Sequence, residues 1–316
     1  MSADQTWQGR KAVVTGGAGF IGSHVVDALV KKGAEVVVID NLSTGRIDNL
    51  APVIDRVQFV RASTLETHHL RRAFQGVDTV FHLAAVLGVK RTWEEPIRTI
   101  HENVIGTENV LAAAANAGVR RVVHASSSEV YGDGVPPYSE ETSPAAPHNG
   151  YATAKLLEEK LAEAYHEETG LEVVSLRYFN SYGNGQIGND YGFVVSIFLQ
   201  RALAGLPLTI YGDGTQTRDF TNVLDTAEAT ILSADRAGVN DILNVGTGRE
   251  VSINDLAKAV LKATGRTDLK LEYAPRRRAE VQRRLCDPAK VRKTLAWEPY
   301  WTLERGLEAL ASGAHK

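Results

Sequence analysis

Lys11-Ala12-Val13-Val14-Thr15 runs directly into Gly16-Gly17-Ala18-Gly19-Phe20-Ile21-Gly22, and the chain then continues through Ser23, Val25, Leu29 and Val30 at helical spacing. An apolar, β-branched run before a glycine cluster and an amphipathic run after it read as strand, tight turn and helix. Gly16, Gly19 and Gly22 recur at three-residue steps. Their physical use is to turn the chain sharply, to let backbone N–H groups approach a pyrophosphate, and to pack helix against strand, with the helix N-terminus facing the negative charge. An ordinary strand–helix turn would need none of this. The second strand, however, ends in an acid, Asp40, eighteen residues past Gly22. A carboxylate there accepts hydrogen bonds from an adenosine ribose diol and repels a 2′-phosphate, so NAD is expected rather than NADP. Arg46 nearby reads as a solvated loop charge.

Outward from this turn the same alternation repeats. Glu35 to Asp40, Val57 to Val60, Thr79 to Leu83, Arg121 to Ala125 and Glu172 to Arg177 read as buried strands. Ser23 to Lys32, Ile97 to Ala117 and Tyr151 to Thr169 carry apolar residues at helical spacing, with Gly33, Gly118 and Gly170 as stop signals. This predicts an α/β, Rossmann-type, doubly wound parallel sheet whose ligand crevice lies at the carboxyl ends of the strands. After Asn180 the rhythm loosens into glycine-rich loops at Gly183 to Gly192 and Tyr211 to Gly214, with a further strand at Ile242 to Val245. The expected organisation is an NAD-binding domain over 1–180, a returning segment near 219–249, and a smaller C-terminal substrate-binding lobe over 181–316.

Composition narrows the class of function. The chain has 316 residues, 43% of them hydrophobic and 23% charged, enough to bury a full core. Thirty-five basic against 38 acidic residues leave a net charge of −3, which argues against nucleic acid or an anionic membrane as main partner. The single cysteine, Cys286, excludes an internal disulfide framework and a multi-cysteine metal site, and no metal is expected. Met1 to Gly9 is polar and lacks the pattern of a signal peptide, and no apolar run reaches membrane-spanning length, so a cytoplasmic, small-molecule enzyme is expected.

Tyr151-Ala152-Thr153-Ala154-Lys155 sets a phenol and an ammonium four residues apart on one helical face. A free tyrosine has a pKa of about 10, and lowering it to about 7 requires roughly 4 kcal/mol of preference for the phenolate. A lysine charge in a partly dry cleft can supply a share. Ser126-Ser127-Ser128-Glu129-Val130-Tyr131-Gly132 follows the fifth strand at the edge where a ligand should lie, and offers hydroxyls to a reacting sugar oxygen.

With these stretches in view the chain resembles the extended short-chain dehydrogenase/reductase family, in particular its NAD-dependent nucleotide-sugar epimerases and dehydratases. The likeness spans nearly the whole sequence. Besides Gly16 to Gly22 it rests on Asp40-Asn41-Leu42-Ser43-Thr44-Gly45, His82-Leu83-Ala84-Ala85, Asn103 with Gly106-Thr107, Ser126 to Gly132 and Tyr151 to Lys155. Arg177-Tyr178-Phe179-Asn180, Arg218-Asp219-Phe220 and Asn244-Val245-Gly246 complete it. The resemblance implies Tyr151 as general base or acid, Lys155 as the residue that holds the nicotinamide ribose, and Ser127 as the hydroxyl bonding the sugar O4. It implies a cofactor site of Gly16, Gly19, Phe20, Ile21, Gly22, Asp40, Asn41, Ser43, Thr44, Gly45, Ser63, Leu83, Ala84, Ala85, Asn103 and Tyr178 together with Tyr151 and Lys155. Ser128, Asn180, Arg218 and Arg277 join Ser127 as substrate contacts, Asn180 and Arg218 on the substrate diphosphate, with the run Arg276-Arg277-Arg278 leaving two readings, diphosphate contact or solvated basic stretch. Ser63 stands where the family often has an adenine-binding aspartate. A homodimer paired through Ile97 to Ala117 and Tyr151 to Thr169 is also implied.

The family's reactions begin alike, with the Tyr151 phenolate removing the O4 proton as C4 is oxidised to a ketone. A 4-epimerase needs no further acid or base; a 4,6-dehydratase needs both, and Glu129 could serve; a decarboxylase needs a carboxylate-reading pocket. Asp40 to Gly45, Arg177 to Asn180 and Ser128 before Glu129 favour 4-epimerisation of a UDP-hexose or UDP-uronic acid, with the dehydratase second. Pro147-His148-Asn149-Gly150 speaks against the decarboxylase. Glu129 reads equally as a structural carboxylate capping a loop. A non-catalytic NAD-binding sensor remains a distinct class, but a sensor has no need of the Tyr151–Lys155 pair.

Overall fold

Val13 and Val14 are neighbours in the first strand yet belong to different cores: Val13 packs with Val37, Val80 and Val110, Val14 with Val26, Val38 and Phe81. Successive strand residues point to opposite faces, so a strand of valines needs a helical layer on each side. The computed structural model describes residues 7–87, 94–186, 193–276 and 281–313. Its strands in chain order are β1 (Lys11–Thr15), β2 (Glu35–Ile39), β3 (Val57–Val60), β4 (Thr79–His82), β5 (Arg121–Ser127) and β6 (Glu172–Tyr178). They are followed by β7 (Ser181–Tyr182), β8 (Leu208–Tyr211), β9 (Thr217–Arg218), β10 (Thr221–Asn222), β11 (Asp241–Val245), β12 (Val251–Ser252), β13 (Leu271–Ala274) and β14 (Arg283–Arg284).

Seven of these form one sheet in the order β11-β6-β5-β4-β1-β2-β3, parallel throughout. This is the doubly wound arrangement expected, and its strand order reverses at β1, which lies between β2 and β4. Helices α1 (Phe20–Lys31), α2 (Thr67–Ala73), α3 (Pro96–Ala117) and α4 (Gly150–Thr169) alternate with the strands, and α5 (Val194–Leu203) and α6 (Val223–Arg236) follow. α1 and α6 bury one face of the sheet through Val25, Leu29, Ile231 and Ala234, while α3 and α4 bury the other through Val110, Leu111 and Ala162. The helices stop where the glycines stand: Gly118 and Gly170 are left-handed caps.

Two boundaries differ usefully from the sequence reading. β5 runs on through Ser127, because Ser126 and Ser127 keep pairing with Arg177 and Tyr178, so these serines are strand residues and not turn residues. α1 begins at Phe20, within the glycine turn, and not at Ser23. The residues after β6 build a separate apolar core from Phe198, Leu199, Ile210, Leu256 and Val260, flanked by small sheets pairing β8 with β13 and β9 with β12 and β14. Asp219 ties this part together. Its buried carboxylate accepts from the Thr247 and Gly248 N–H groups at 2.9 and 2.8 Å and from the Thr247 hydroxyl at 2.5 Å.

Candidate active site

A cavity of about 700 Å³ opens at the carboxyl ends of β1, β4 and β5 and extends to residues of the C-terminal core. Its floor is the glycine turn. Gly16 has φ +70°, and a Cβ there would stand 2.7 Å from the Ala84 backbone; one on Gly22 would meet the Gly16 carbonyl oxygen at 2.1 Å. The turn after β1 and the turn after β4 therefore touch, which is possible only with glycine at these places. α1 starts beside them with Gly19 as its N-cap, no side-chain cap and no acid in its first turn. Its first N–H groups are thus left without a capping side chain among the described residues and suit a pyrophosphate. Asp40 is buried on the same wall, where its carboxylate accepts from Ala18 N at 3.0 Å and Leu42 N at 2.8 Å. Burial pushes its pKa up, against those two bonds. These features fit a dinucleotide.

Of the residues expected to hold the cofactor, Gly16, Gly19, Phe20, Ile21, Gly22, Asp40, Asn41, Ser43, Thr44, Ser63, Leu83, Ala84, Ala85, Asn103, Tyr151, Lys155 and Tyr178 all line this cavity. Gly45 does not; it sits behind Asp40, making room for the carboxylate. Asn103 acts through backbone: its carboxamide accepts from Val86 N at 2.6 Å and donates to Val86 O at 3.0 Å, fixing the loop after β4. Arg46 is an exposed loop charge, 3.4 Å from Asp48.

Ser127, Ser128, Glu129, Asn180 and Arg218 line the same cavity, and Ser127 and Glu129 act on the Tyr151 phenol. Arg277, with Arg278, Ala279 and Glu280, lies outside the described residues. Tyr151 and Lys155 sit on one face of α4, the ammonium 5.9 Å from the centre of the phenol ring. The lysine does not serve the phenol alone. Its Nζ donates to Glu158 Oε2 at 2.9 Å, and the same oxygen meets His124 Nε2 at 2.7 Å and accepts from Thr107 Oγ1 at 3.0 Å. Thr107 in turn meets His82 at 2.9 Å, and His82 meets Thr15 at 2.7 Å. Although burial opposes ionisation, Lys155 and His124 hold the Glu158 carboxyl at about 2. With its partner lysine so balanced, Tyr151 is pushed well above the usual phenol value by burial, then by the charges of Glu129 and Glu158, while Ser127 works the other way. The lowered phenol expected from the helix spacing is therefore not a property of the chain alone.

Three residues of the site were not legible as such. Arg284, in β14, is 5% exposed, lines the cavity, and donates from Nη1 to the carbonyl oxygen of Ser128. Among the described residues no carboxylate lies within ion-pair distance of it. Burial draws its pKa down, with Glu129 acting in the opposite direction. Asn149 and His148, in a loop read only for its mismatch, also line the cavity. A signal for Arg284 existed: in Arg284-Leu285-Cys286 the first and third residues are buried, at 5% and 1%, a strand alternation hidden inside a basic run. Finally, His148 Nδ1, Asn180 Oδ1 and Gln186 Oε1 are buried polar atoms on cavity-lining residues with no hydrogen-bond partner among the described residues, as expected of groups that meet a polar ligand.

Comparison with known proteins agrees with this architecture. A profile of the NAD dependent epimerase/dehydratase family matches residues 12–246. The chain is 37% identical over 310 residues to a UDP-N-acetyl-α-D-glucosaminuronate decarboxylase of Bacillus cytotoxicus, covering 95% of this chain and 96% of that one. It is 37% identical over 302 residues to a UDP-glucose 4-epimerase of Mycolicibacterium smegmatis, covering 94% and 96%. Among solved structures, a UDP-glucose 4-epimerase of Thermotoga maritima with UDP-glucose superposes with a TM-score of 0.91 at 36% identity, covering 96% of this chain and 97% of that one.

Proposed function

Because the chain belongs to the NAD-dependent epimerase/dehydratase family, we propose that it acts on a UDP-linked uronic acid, oxidising C4 and releasing the C6 carboxyl group as carbon dioxide. The observation that carries this reading is Arg284. A buried guanidinium without a carboxylate partner is costly, and it is retained where an anionic ligand completes it. Its bond to the carbonyl oxygen of Ser128 sets it next to the segment that carries Ser127 and Glu129, and it lines the same cavity. A nucleotide-sugar substrate brings two kinds of anion, its diphosphate and, in a uronate, its C6 carboxylate; the bond to Ser128, beside Ser127 and Glu129, favours the carboxylate as the partner, where a hexose offers only a hydroxymethyl group. On this reading Arg284 is the carboxylate-reading group that a decarboxylase needs, which is our reason for placing decarboxylation ahead of the epimerisation that the sequence favours.

Gly16, Gly19 and Gly22 with the first turn of α1 would hold the pyrophosphate of NAD, Asp40 its adenosine ribose and Lys155 its nicotinamide ribose. Bound there, NAD supplies a reversible two-electron acceptor for the C4 hydride. Tyr151 takes the O4 proton as C4 becomes a ketone, with Ser127 hydrogen-bonded to the same oxygen. The product is a β-keto acid, whose C5–C6 bond breaks readily because its electron pair passes to O4 as an enolate. Having taken the O4 proton, the Tyr151 phenol can donate a hydrogen bond to the enolate oxygen. Glu129, beside the sugar, would relay a solvent proton to C5; C4 would then take its hydride back as Tyr151 returns the proton to O4, leaving a UDP-pentose. We also propose that residues 1–180 with the returning segment near 219–249 form the cofactor part, and residues 181–316 otherwise the substrate part.

A second reading, 4-epimerisation of the same uronate, is favoured by the stretches Asp40 to Gly45 and Arg177 to Asn180 and needs no proton at C5. Arg284→Gln tests the shared premise. It should lower kcat/KM for a UDP-uronate by about 100-fold, in line with loss of a charge-assisted pair, and leave NAD binding within about threefold of the parent. Equal losses for UDP-glucuronate and UDP-glucose oxidation would remove the reason for preferring a uronate.

A further inference from the structure

Asn149 uses both ends of one carboxamide. Its Oδ1 accepts from Ala152 N at 2.8 Å, capping α4, and its Nδ2 donates to Glu129 Oε2 at 2.9 Å. Capping needs only the oxygen; serine, aspartate or asparagine serves equally. The amide nitrogen does a second job, since it reaches across to a carboxylate on the turn after β5. Glu129 is held from its other end as well, its backbone N–H donating to Ser127 Oγ at 3.2 Å. Tyr151 stands two residues beyond Asn149, on the helix that the cap begins. Base and acid are thus joined through one side chain, and both line the same cavity.

We propose that Asn149 is a positioning residue for the reaction, fixing the Glu129 carboxylate relative to the helix that carries Tyr151. The inference rests on the role given above to Glu129. A freely rotating Glu129 would sample several rotamers, only some of them directed at the sugar, and a hydrogen bond to one carboxylate oxygen leaves the other to work on substrate. Asn149 takes no part in the proton transfers themselves; it acts through Glu129.

Aspartate at this position separates the two jobs. Asn149→Asp keeps the capping oxygen and adds a negative charge at a helix N-terminus, which stabilises a helix, while it removes the N–H donor and sets a like charge against Glu129. The expected result is an unchanged or higher melting temperature together with a kcat on UDP-glucuronate at least tenfold lower, and KM within about threefold of the parent. Asn149→Ser, whose shorter side chain caps without reaching Glu129, should lose kcat in the same way at near-parental stability. In a Glu129→Gln background Asn149→Asp should cost nothing further in kcat, because the residue it positions no longer carries the proton. Parental kcat in Asn149→Asp and Asn149→Ser, with Glu129→Gln impaired, would overturn the proposal and leave the role of Glu129 standing. Full turnover by Glu129→Gln would instead remove that role itself.

Discussion

At the scale of single residues, the site is governed by charges that balance one another at short range. Lys155 and Glu158 are almost completely buried and 2.9 Å apart, and Glu158 is braced by His124 and Thr107. Removing one member of such a pair leaves a charge buried without compensation, at a cost of about 3–5 kcal/mol. Glu158→Gln should therefore lower the urea midpoint of unfolding by a corresponding amount; an unchanged midpoint would mean that Lys155 finds another partner. The pair i, i+4 of Tyr151 and Lys155 was readable from spacing, since a helix fixes which residues share a face. Glu158 was not, because a glutamate three places after a lysine on a helix is ordinarily a solvated neighbour, and only the packing of β5 and α3 over α4 makes it interior. Arg284 escaped notice for a related reason: the alternation through Cys286 hints at a strand, but burial of the charge itself is a tertiary fact.

At the scale of elements, several stretches quoted for the family likeness turn out to brace the framework. Arg177 makes a two-point ion pair with Glu159 at 2.8 and 2.7 Å, tying β6 to α4, and Ser126 donates to the same carboxylate at 2.6 Å. Asn244 accepts from the Tyr131 hydroxyl at 2.8 Å and donates to the Tyr138 carbonyl oxygen. His82 links β1 to α3 through Thr15 and Thr107, and burial, with the charges of His124 and Lys155 beside it, draws its pKa down to about 3. Its folded value lies below its unfolded value of about 6.5, so this imidazole favours the fold fully above pH 6.5, and the benefit is lost as pH falls toward 3. Between pH 7 and pH 5 the loss is about 2 kcal/mol. Thermal melts should show the decline, and His82→Gln should flatten it; a slope unchanged by that substitution would assign the acid sensitivity elsewhere. The strand and helix pattern of these elements was legible because valine alternation and glycine stops are local signals. The extension of β5 through its serines was not, since their pairing with β6 is supplied by a partner strand some fifty residues away.

At the scale of the whole molecule, the order β11-β6-β5-β4-β1-β2-β3 brings the glycine turn, Asp40 and the Ala84 loop to one crevice, and the C-terminal core closes the cavity from the other side. Ile97, Ile100 and Leu157 stay exposed on α3 and α4, at 84%, 38% and 45%. We propose that a second copy covers them, giving the homodimer the family resemblance implies. Sedimentation at micromolar concentration should give a particle of twice 34.3 kDa, and Leu157→Glu should shift it to the single chain; a single chain in the parent would exclude the pairing.

What Arg284, Glu129 and Tyr151 do together is tested most directly by an NMR time course of the protein with UDP-glucuronate and NAD in deuterated water. The expected product is a UDP-pentose with deuterium at C5, formed as carbon dioxide is released. A C4-inverted uronate that keeps its carboxyl group and its original C5 proton would contradict the proposed decarboxylation.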